Sequence, residues 1–385
     1  MRTLPAAGRQ DRTGVSDPAF QFGIEEEYFL ADAQTFQAAA ETPDALVHDA
    51  VSCVDGHIER EFLQAQIEAA TEPHTSAAAA KRDLLRLRRC AAEAAAKHGL
   101  AVLACGTHPI ASWRHSVQSR KQRYDKVMDD LQMLGRRNML CGMHVHVEFP
   151  DPAQRVSVMT RMLPYVPLFI VLSTSSPFWQ GRATGLMGYR LAAYDELPRT
   201  GLPELFRTDA EFDAYVATMV DSGAMPDASH IWWSLRPSLK YPTLELRAPD
   251  CCTRIDDAIA VASLYRVLVR HLYMNPEHNA RLDVVDRSIA LENKWRAQRY
   301  DARNTFVTRA GAIAVPDMLD RVLEQVAADA EALACVGELK RCRAIIAEGT
   351  SADAQLRIFG ENEHEGTEIA VHRVARWIAE ATLMT

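Results

Sequence analysis

An acidic triplet, Glu25-Glu26-Glu27, lies within an apolar segment that runs from Phe22 to Leu30. The alternating apolar side chains predict a strand, on which Glu25 and Glu27 share one face and Glu26 points to the other. Two carboxylates about 4 Å apart on a half-buried sheet repel by ~4 kcal/mol at an effective dielectric constant of ~20. A proton or a hard divalent cation would relieve that repulsion. For the triplet taken alone, a solvated acidic edge strand is the commoner explanation.

A second polar cluster lies in the segment 57–71, which also has the composition of a strand. On a regular strand Gln64, Gln66 and Glu68 share one face, and Glu61 falls on the opposite face unless the strand bends. Such a face suits the wall of a cavity and a solvent-exposed surface equally well.

The segment 139–149 contains two histidines, His144 and His146, spaced so that both lie on one face of a strand. This spacing recurs at metal sites. A histidine buried in a core and satisfied by hydrogen bonds is the alternative, and for the pair the two explanations are about equal.

A strand–turn–strand is predicted over 231–249, where Glu245 and Arg247 alternate with leucines. Sites of phosphoryl transfer typically combine a glutamate that binds a metal with an arginine that binds a phosphate. The alternative is a surface ion pair of little energetic value. Four apolar-framed strands that each present polar groups on one face indicate a common site. The sequence contains no GxxxxGK[ST], GxGxxG or HExxH motif, so any ATP must be held by metals and basic side chains.

The elements that position these residues are mostly helical. Strands and helices do not alternate in βαβ order, which favours an α+β fold with an antiparallel or mixed sheet and helices on one side. Besides a short strand at 100–105, the apolar spacing predicts helices at 77–98, 119–134, 153–172, 209–222, 255–274, 278–300, 317–346 and 364–381.

Composition narrows the class of protein. The 385 residues are 48% hydrophobic and 24% charged, with a formal net charge of −8, which argues against a nucleic-acid-binding surface. The longest apolar run, 162–179, is interrupted by three prolines, so no membrane span is expected. We expect residues 1–19 to form a flexible tail without a secretory signal and 20–385 to form a single catalytic domain. The eight cysteines lack CxxC spacing, which predicts neither structural zinc nor a disulfide framework and fits a reducing cytoplasm.

Several blocks together resemble the glutamate–cysteine ligase type 2 family, in particular its YbdK-type carboxylate–amine ligases. The resemblance extends from about residue 22 to the C-terminal region. It implies a glutamine-synthetase-like catalytic domain, in which a curved, mostly antiparallel sheet carries helices on its outer side and holds metals and nucleotide on its concave face. The blocks are GIEEEYFL, EFLQAQIEAAT, CGMHVHVEFPD, SSPFWQGRATGLMGYR, WWSLRPSLKYPTLELRAPD and ENKWRAQRY.

The resemblance implies that ATP phosphorylates a carboxylate and that an amine then attacks the acyl phosphate to form an amide. Mg²⁺, with Mn²⁺ as a substitute, would be the metal. Arg247 would meet the γ-phosphate and act with Glu27 in catalysis. The implied metal ligands are Glu25, His144 and Glu245 for one ion and Glu27, Glu68 and Glu61 for another.

Further site residues are assigned less directly. The basic helix face with Arg296, Arg299 and Arg303 would contact nucleotide phosphate or a carboxylate, although a solvated basic face explains it equally well. Arg190 would bind the substrate carboxylate because its guanidinium fork fits that group. Reserve candidates for the base that deprotonates the amine are Asp250 and Glu148, and Gln66 and His146 would also contact substrate.

Two other functions remain open from the sequence. One is a zinc- or iron-dependent hydrolase built on His144 and His146, and the other is a non-catalytic nucleotide or amino-acid sensor. For the ligase we expect a glutamate-like carboxylate and an amine, cysteine or another, as small-molecule partners. We expect no nucleic-acid or membrane partner, and the resemblance suggests a homodimer.

Overall fold

The computed structural model describes residues 18–54, 57–119, 122–300 and 302–384. Almost all of the expected N-terminal tail, 1–17, therefore lies outside the described residues. The assignment of 20–385 to a single domain stays a prediction.

Seven strands form one sheet, in the order β2-β3-β1-β5-β9-β8, with β4 also paired to β1. Every pairing between described strands of this sheet is antiparallel. The strands are β1 (Phe22–Asp32), β2 (Ile58–Arg60), β3 (Gln66–Ala70), β4 (Leu100–Leu103), β5 (Met143–Glu148), β6 (Phe178–Trp179), β7 (Arg182–Ala183), β8 (Leu235–Pro237), β9 (Thr243–Leu246), β10 (Thr305–Thr308) and β11 (Gly311–Ala314). The short pairs β6–β7 and β10–β11 form two separate hairpins.

Helices supply most of the remaining chain. They are α1 (Asp44–Val54), α2 (Ala77–Ala96), α3 (Gln122–Leu131), α4 (Met133–Arg136), α5 (Arg155–Met162), α6 (Val166–Ser173), α7 (Tyr189–Tyr194), α8 (Asp209–Asp221), α9 (Ile255–Met274), α10 (Val284–Arg299), α11 (Val315–Gln325), α12 (Ala327–Ala332), α13 (Val336–Glu348), α14 (Ser351–Asn362) and α15 (Thr367–Thr382). The ends follow capping rules: Ser76 accepts a hydrogen bond from the Ala79 amide at the start of α2.

The largest hydrophobic core lies on one face of the sheet. Helices α2, α5 and α9 pack against the strands there, and Ile24, Val145 and Leu244 point into this core from neighbouring strands. The opposite face of the same strands carries the polar residues discussed below. The expected α+β class, with an antiparallel sheet and helices packed on one side, is confirmed.

One helical stretch, Pro152–Ser173, is long and apolar enough to cross a membrane. About nine-tenths of its apolar 18-residue window is buried inside the fold, as expected for a core helix. A 3₁₀ turn at Leu163–Tyr165, with Pro164 in it and Pro167 just after it, divides the stretch into α5 and α6.

Several element boundaries differ from the expected ones. The strand predicted over 57–71 is interrupted after β2, and the chain turns before β3. The helix predicted over 317–346 is three helices, and Ala334, with a φ of 52°, separates the last two. The helix expected over 119–134 is two, α3 and α4. Helical periodicity continues across such breaks because the helices on either side bury the same kind of apolar face.

The cysteines depart in part from expectation. Cys53 and Cys90 form a disulfide that joins α1 to α2, whereas the other six are free and buried. A single cross-link is not a disulfide framework, and the cysteine spacing did not predict this pair. Pairing depends on how two helices dock, which cysteine spacing does not reveal.

Candidate active site

The register of the sheet gathers the acids of β1 with polar residues of its neighbours. Glu25 lies opposite His144 of β5, and Glu27 lies opposite Glu68 of β3. The polar face encloses a cavity of about 720 Å³. All six residues expected to bind metal line it, namely Glu25, Glu27, Glu61, Glu68, His144 and Glu245. So do four residues expected to act in catalysis or to contact substrate, namely Arg190, Gln66, His146 and Arg247.

The acids and histidines converge closely enough to hold cations. Three groups each bring their ligand atoms within 4.8 Å of one another. They are Glu25 with His146 and Glu245, Glu25 with Glu68 and His144, and Glu27 with Glu61 and Glu68. His146, expected to contact substrate, thus stands among candidate ligands. Glu61 reaches the third group because the chain turns after β2.

The acidic end of the cavity carries more negative charge than its surroundings neutralise. Burial, together with the charges of Glu25, Glu61 and Glu27, raises the pKa of Glu68 well above its usual value. Burial also raises the pKa of Glu27, although Arg190 and the Gly142 amide favour its ionised form. A proton or a divalent cation would relieve this strain, and carboxylate oxygens suit a hard cation.

Glu245 is in a different electrostatic setting because two arginines hold it. Arg236 donates from Nε at 3.0 Å and from a terminal nitrogen at 2.6 Å, and Arg247 donates to the other oxygen. Burial opposes the charge, but Arg247 and Arg236 outweigh it and hold the pKa of Glu245 well below its usual value. This carboxylate is therefore fully ionised at neutral pH.

The pKa values of the two histidines are shifted in opposite directions. Burial and the charge of Arg247 lower the pKa of His144 to about 4, which leaves the ring neutral, the form that binds metals. Its Nδ1 lies 3.4 Å from Glu25, and its buried Nε2 has no hydrogen-bond partner among the described residues. Despite burial, Glu25 and Glu245 raise the pKa of His146, whose Nδ1 lies 2.9 Å from the Thr243 hydroxyl.

Arg190 forms one wall of the cavity and is only 3% exposed. One terminal nitrogen donates to the Pro249 carbonyl at 3.1 Å, and the guanidinium lies over the Tyr194 ring, 5.7 Å from its centre. It also lies against Gly142, where an added Cβ would be 2.1 Å from the second terminal nitrogen. Its buried Nε has no hydrogen-bond partner among the described residues.

The structure does not bring every assigned residue to this cavity. Arg296, Arg299 and Arg303 line a different cavity, of about 840 Å³, which shares no lining residue with the first. The structure separates them from the acids of the first cavity, and their assignment to the nucleotide stays a prediction. Asp250 lies outside the cavity lining and accepts hydrogen bonds from the Ser175 amide and the Ser176 hydroxyl, as structural carboxylates do. Glu148 is exposed at the end of β5.

The sequence-based assignments missed several polar residues of the lining, among them Arg236, Tyr194 and Lys240. Arg236 pairs with Glu245 across β8 and β9, and strand alternation would have placed it on that face. Tyr194 lies with its hydroxyl 3.5 Å from Arg247. Lys240 reaches the cavity from the turn between β8 and β9, where no sequence periodicity applies.

A family model, the glutamate–cysteine ligase family 2, matches residues 21–373. A relative from Bradyrhizobium sp. (strain ORS 278), provisionally named glutamate–cysteine ligase 2, is 55% identical over 364 residues, covering 94% of this chain and 88% of its own length. A relative with the same provisional name from Rhodospirillum rubrum is 43% identical over 353 residues, covering 90% of this chain and 91% of its own.

Solved structures show the same fold at low identity. The glutamate–cysteine ligase of Francisella tularensis in complex with AMP superposes with a TM-score of 0.67 at 13% identity, covering 95% of this chain and 89% of its own. A bifunctional glutathione synthetase from Pasteurella multocida gives 0.69 at 14% identity, covering 94% of this chain and 52% of its own. These likenesses confirm the expected fold class, and the matches in sequence confirm the resemblance: the chain belongs to glutamate–cysteine ligase family 2.

Proposed function

We propose that this protein is an ATP-dependent ligase that joins a glutamate-like carboxylate to an amine through an acyl phosphate. The observation that carries the proposal is the convergence of three acid-rich groups and the guanidinium groups of Arg190 and Arg247 on one cavity. Membership of the family supports a carboxylate–amine ligase.

The residues present fit hard divalent cations. Each group of candidate ligands contains at least two carboxylates and at most one histidine, a set typical of Mg²⁺ or Mn²⁺ rather than zinc. The raised pKa of Glu68 is expected where a cation binds. The same holds for His144, whose buried Nε2 has no hydrogen-bond partner among the described residues. Bound cations would neutralise phosphate oxygens of ATP.

The chain's own side chains would orient the reactants. Arg247 is 14% exposed, and its paired carboxylate Glu245 anchors it, so the guanidinium is positioned to bind the transferring phosphate. Arg190 would hold the carboxylate substrate. Glu27 is fixed by the Gly142 amide at 2.5 Å and would hold a cation beside these arginines.

In the reaction a carboxylate oxygen of the substrate attacks the γ-phosphorus, and the bond from that phosphorus to ADP breaks. The amine nitrogen then attacks the acyl carbon, the carbon–oxygen bond to phosphate breaks, and the amine loses a proton. The main task of such a site is to bring the substrate carboxylate, the ATP phosphates and the amine close together. We place the reaction in the cytoplasm, with glutamate as the first carboxylate to be tried and cysteine as one of several amines.

ADP release in the presence of Mg²⁺, screened across amino acids and amines with glutamate, tests the proposal. We expect Glu68→Gln and Arg247→Ala each to lower the rate at least a hundredfold, because the first removes a candidate cation ligand and the second removes a positive charge at the transferring phosphate. Glu148→Gln is the matched control, since this exposed glutamate lies outside the cavity lining. Normal ADP release by Glu68→Gln would overturn the proposal.

The same assay separates the other functions. A sensor would bind ATP but release no ADP with any amine. A hydrolase would turn over without ATP and would retain a transition metal through purification. No comparison supports a hydrolase, and the carboxylate-rich ligand groups do not favour one.

A further inference from the structure

We propose that the second cavity, which we call the arginine cavity, binds a polyvalent phosphate anion independently of the proposed ligase site. It lies between the C-terminal end of α10 and α14 and has a volume of about 840 Å³. Its described lining residues are Met187, Arg296, Arg299, Tyr300, Arg303, Asn304, Asp353, Leu356 and Arg357.

The arginine cavity is rich in positive charge. The cavity of about 720 Å³ on the polar face of the sheet, which we call the ligase cavity, is rich in negative charge. Four of the described residues that line the arginine cavity are arginines, and Asp353 is the one acid among them. The Asp353 carboxylate accepts hydrogen bonds from the Thr350 amide at 2.9 Å and hydroxyl at 3.0 Å, and Arg303 lies 3.5 Å from its other oxygen. Arg357 pairs with Glu361 at 2.9 Å. Guanidinium groups that share one opening favour an anion with several oxygens.

Two of the arginines are held in place before any ligand arrives. Arg296 donates from Nε to the Thr305 carbonyl at 2.6 Å and from a terminal nitrogen to the Thr305 hydroxyl at 2.9 Å. Arg296 and Arg299 both lie over the Tyr300 ring, 5.7 and 5.0 Å from its centre. Both guanidinium groups thus pack on one ring, and an anion bound in the cavity would offset their like charges.

The chemistry of the two cavities predicts different requirements for binding. The arginine cavity has no candidate metal-ligand group among the described residues, so an anion needs no divalent cation to bind there. The ligase cavity is lined by Glu25, Glu27, Glu59, Glu61, Glu68 and Glu245, which would repel the same anion unless cations are bound. The volume exceeds what one carboxylate would fill, so we assign a diphosphate-sized ligand, free or as part of a nucleotide.

Calorimetric titration with inorganic pyrophosphate in EDTA tests the inference. The unaltered protein should bind, and the double variant Arg303→Glu/Arg357→Glu should bind at least tenfold more weakly. These side chains are 75% and 61% exposed, so the fold should survive the change. The matched control is Arg82→Glu/Arg89→Glu on exposed positions of α2, which alters net charge equally and lines neither cavity.

Three outcomes would overturn the inference. The first is no binding of pyrophosphate to the unaltered protein. The second is equal weakening by the control pair, which would show only non-specific attraction. The third is binding that needs Mg²⁺ and is lost in Arg247→Ala, which would place the anion in the ligase cavity. Because no step requires ligase turnover, the result does not depend on the proposed function. Titration with ADP in EDTA, run in parallel, shows whether a nucleoside enters with the diphosphate.

Discussion

Arg88 of α2 and Glu26 of β1 form a fully buried ion pair behind the sheet, joined by hydrogen bonds of 2.8 and 2.7 Å. The Tyr28 hydroxyl donates to the same carboxylate at 2.6 Å. Remaining donors of Arg88 reach the carbonyls of Cys252 and Thr253. The middle acid of the triplet is thus a core residue, whereas Glu25 and Glu27 on the other face line the cavity.

Loss of the arginine should therefore destabilise the whole fold. Arg88→Met would leave Glu26 charged and unpaired in the core, and we expect a loss of about 3–5 kcal/mol in the free energy of unfolding. Urea denaturation measures it. The double variant Glu26→Gln/Arg88→Met, which removes the buried charge, should recover part of that loss. An unchanged denaturation midpoint for Arg88→Met would contradict the structural role.

Glu68 should destabilise the metal-free protein as the pH rises. Burial and neighbouring acids raise the pKa of Glu68 in the folded state above its unfolded value, so the folded protein retains a proton that the unfolded chain releases. Stability falls as the pH rises above the unfolded pKa. In EDTA at pH 8, Glu68→Gln should melt at a higher temperature than the parent.

With saturating Mg²⁺ the parent should melt at a higher temperature than Glu68→Gln. Only the parent retains the full set of ligands and gains the full free energy of Mg²⁺ binding. Thermal melts of both proteins, with and without Mg²⁺, provide the comparison. If Mg²⁺ stabilises Glu68→Gln as much as the parent, Glu68 is not a ligand.

His108 should contribute to unfolding in acid. Burial lowers its pKa to about 3, and its Nδ1 accepts hydrogen bonds from the Ile110 and Ala111 amides. As the pH falls below ~6.5, this histidine binds a proton in the unfolded chain but stays neutral in the folded protein. The free energy of unfolding therefore falls by up to ~1.4 kcal/mol per pH unit until the folded pKa is reached.

His108→Asn keeps an acceptor near Nδ1 but cannot titrate. It should lower stability at pH 7 and flatten the dependence of stability on pH between 6 and 4, measured by denaturant titration at several pH values. His144, whose pKa is also lowered, contributes in the same direction to both proteins, so the difference between them isolates His108. Parallel pH profiles would refute the assignment.

Gly142 should be essential for stability and activity because there is no room beside it for a side chain. Gly142→Ala would place a methyl group 2.1 Å from Arg190, which must then move. We expect a loss of about 1–3 kcal/mol in stability and a larger loss of ADP release, since Arg190 would leave its position. Gly360→Ala in α14 is the control, because nothing lies within 4 Å of the added carbon there and alanine favours a helix by about 1 kcal/mol. Equal effects of the two changes would contradict this account.

Much of the site could be predicted from the sequence because it is built on strands. Side chains two residues apart share a face whatever the surroundings, so Glu25 with Glu27, His144 with His146 and Glu245 with Arg247 were paired by alternation alone. The same rule turned Glu26 away from them, as the structure shows. The predicted helices also exist at most of the expected places, since long apolar periodicity depends little on context.

The tertiary structure alone decided what depends on distant segments meeting. The turn after β2 brings Glu61 beside Glu27, and the pairing of β8 with β9 brings Arg236 to Glu245. The docking of α1 on α2 pairs Cys53 with Cys90.

The position of α10 separates Arg296 and Arg299 from the acids and assembles the arginine cavity instead. By itself the sequence determined which face of each element a side chain occupies, because that follows from the period of the local backbone. Which faces meet follows from the packing of elements far apart in the chain, and that is why the tertiary structure was needed to decide it.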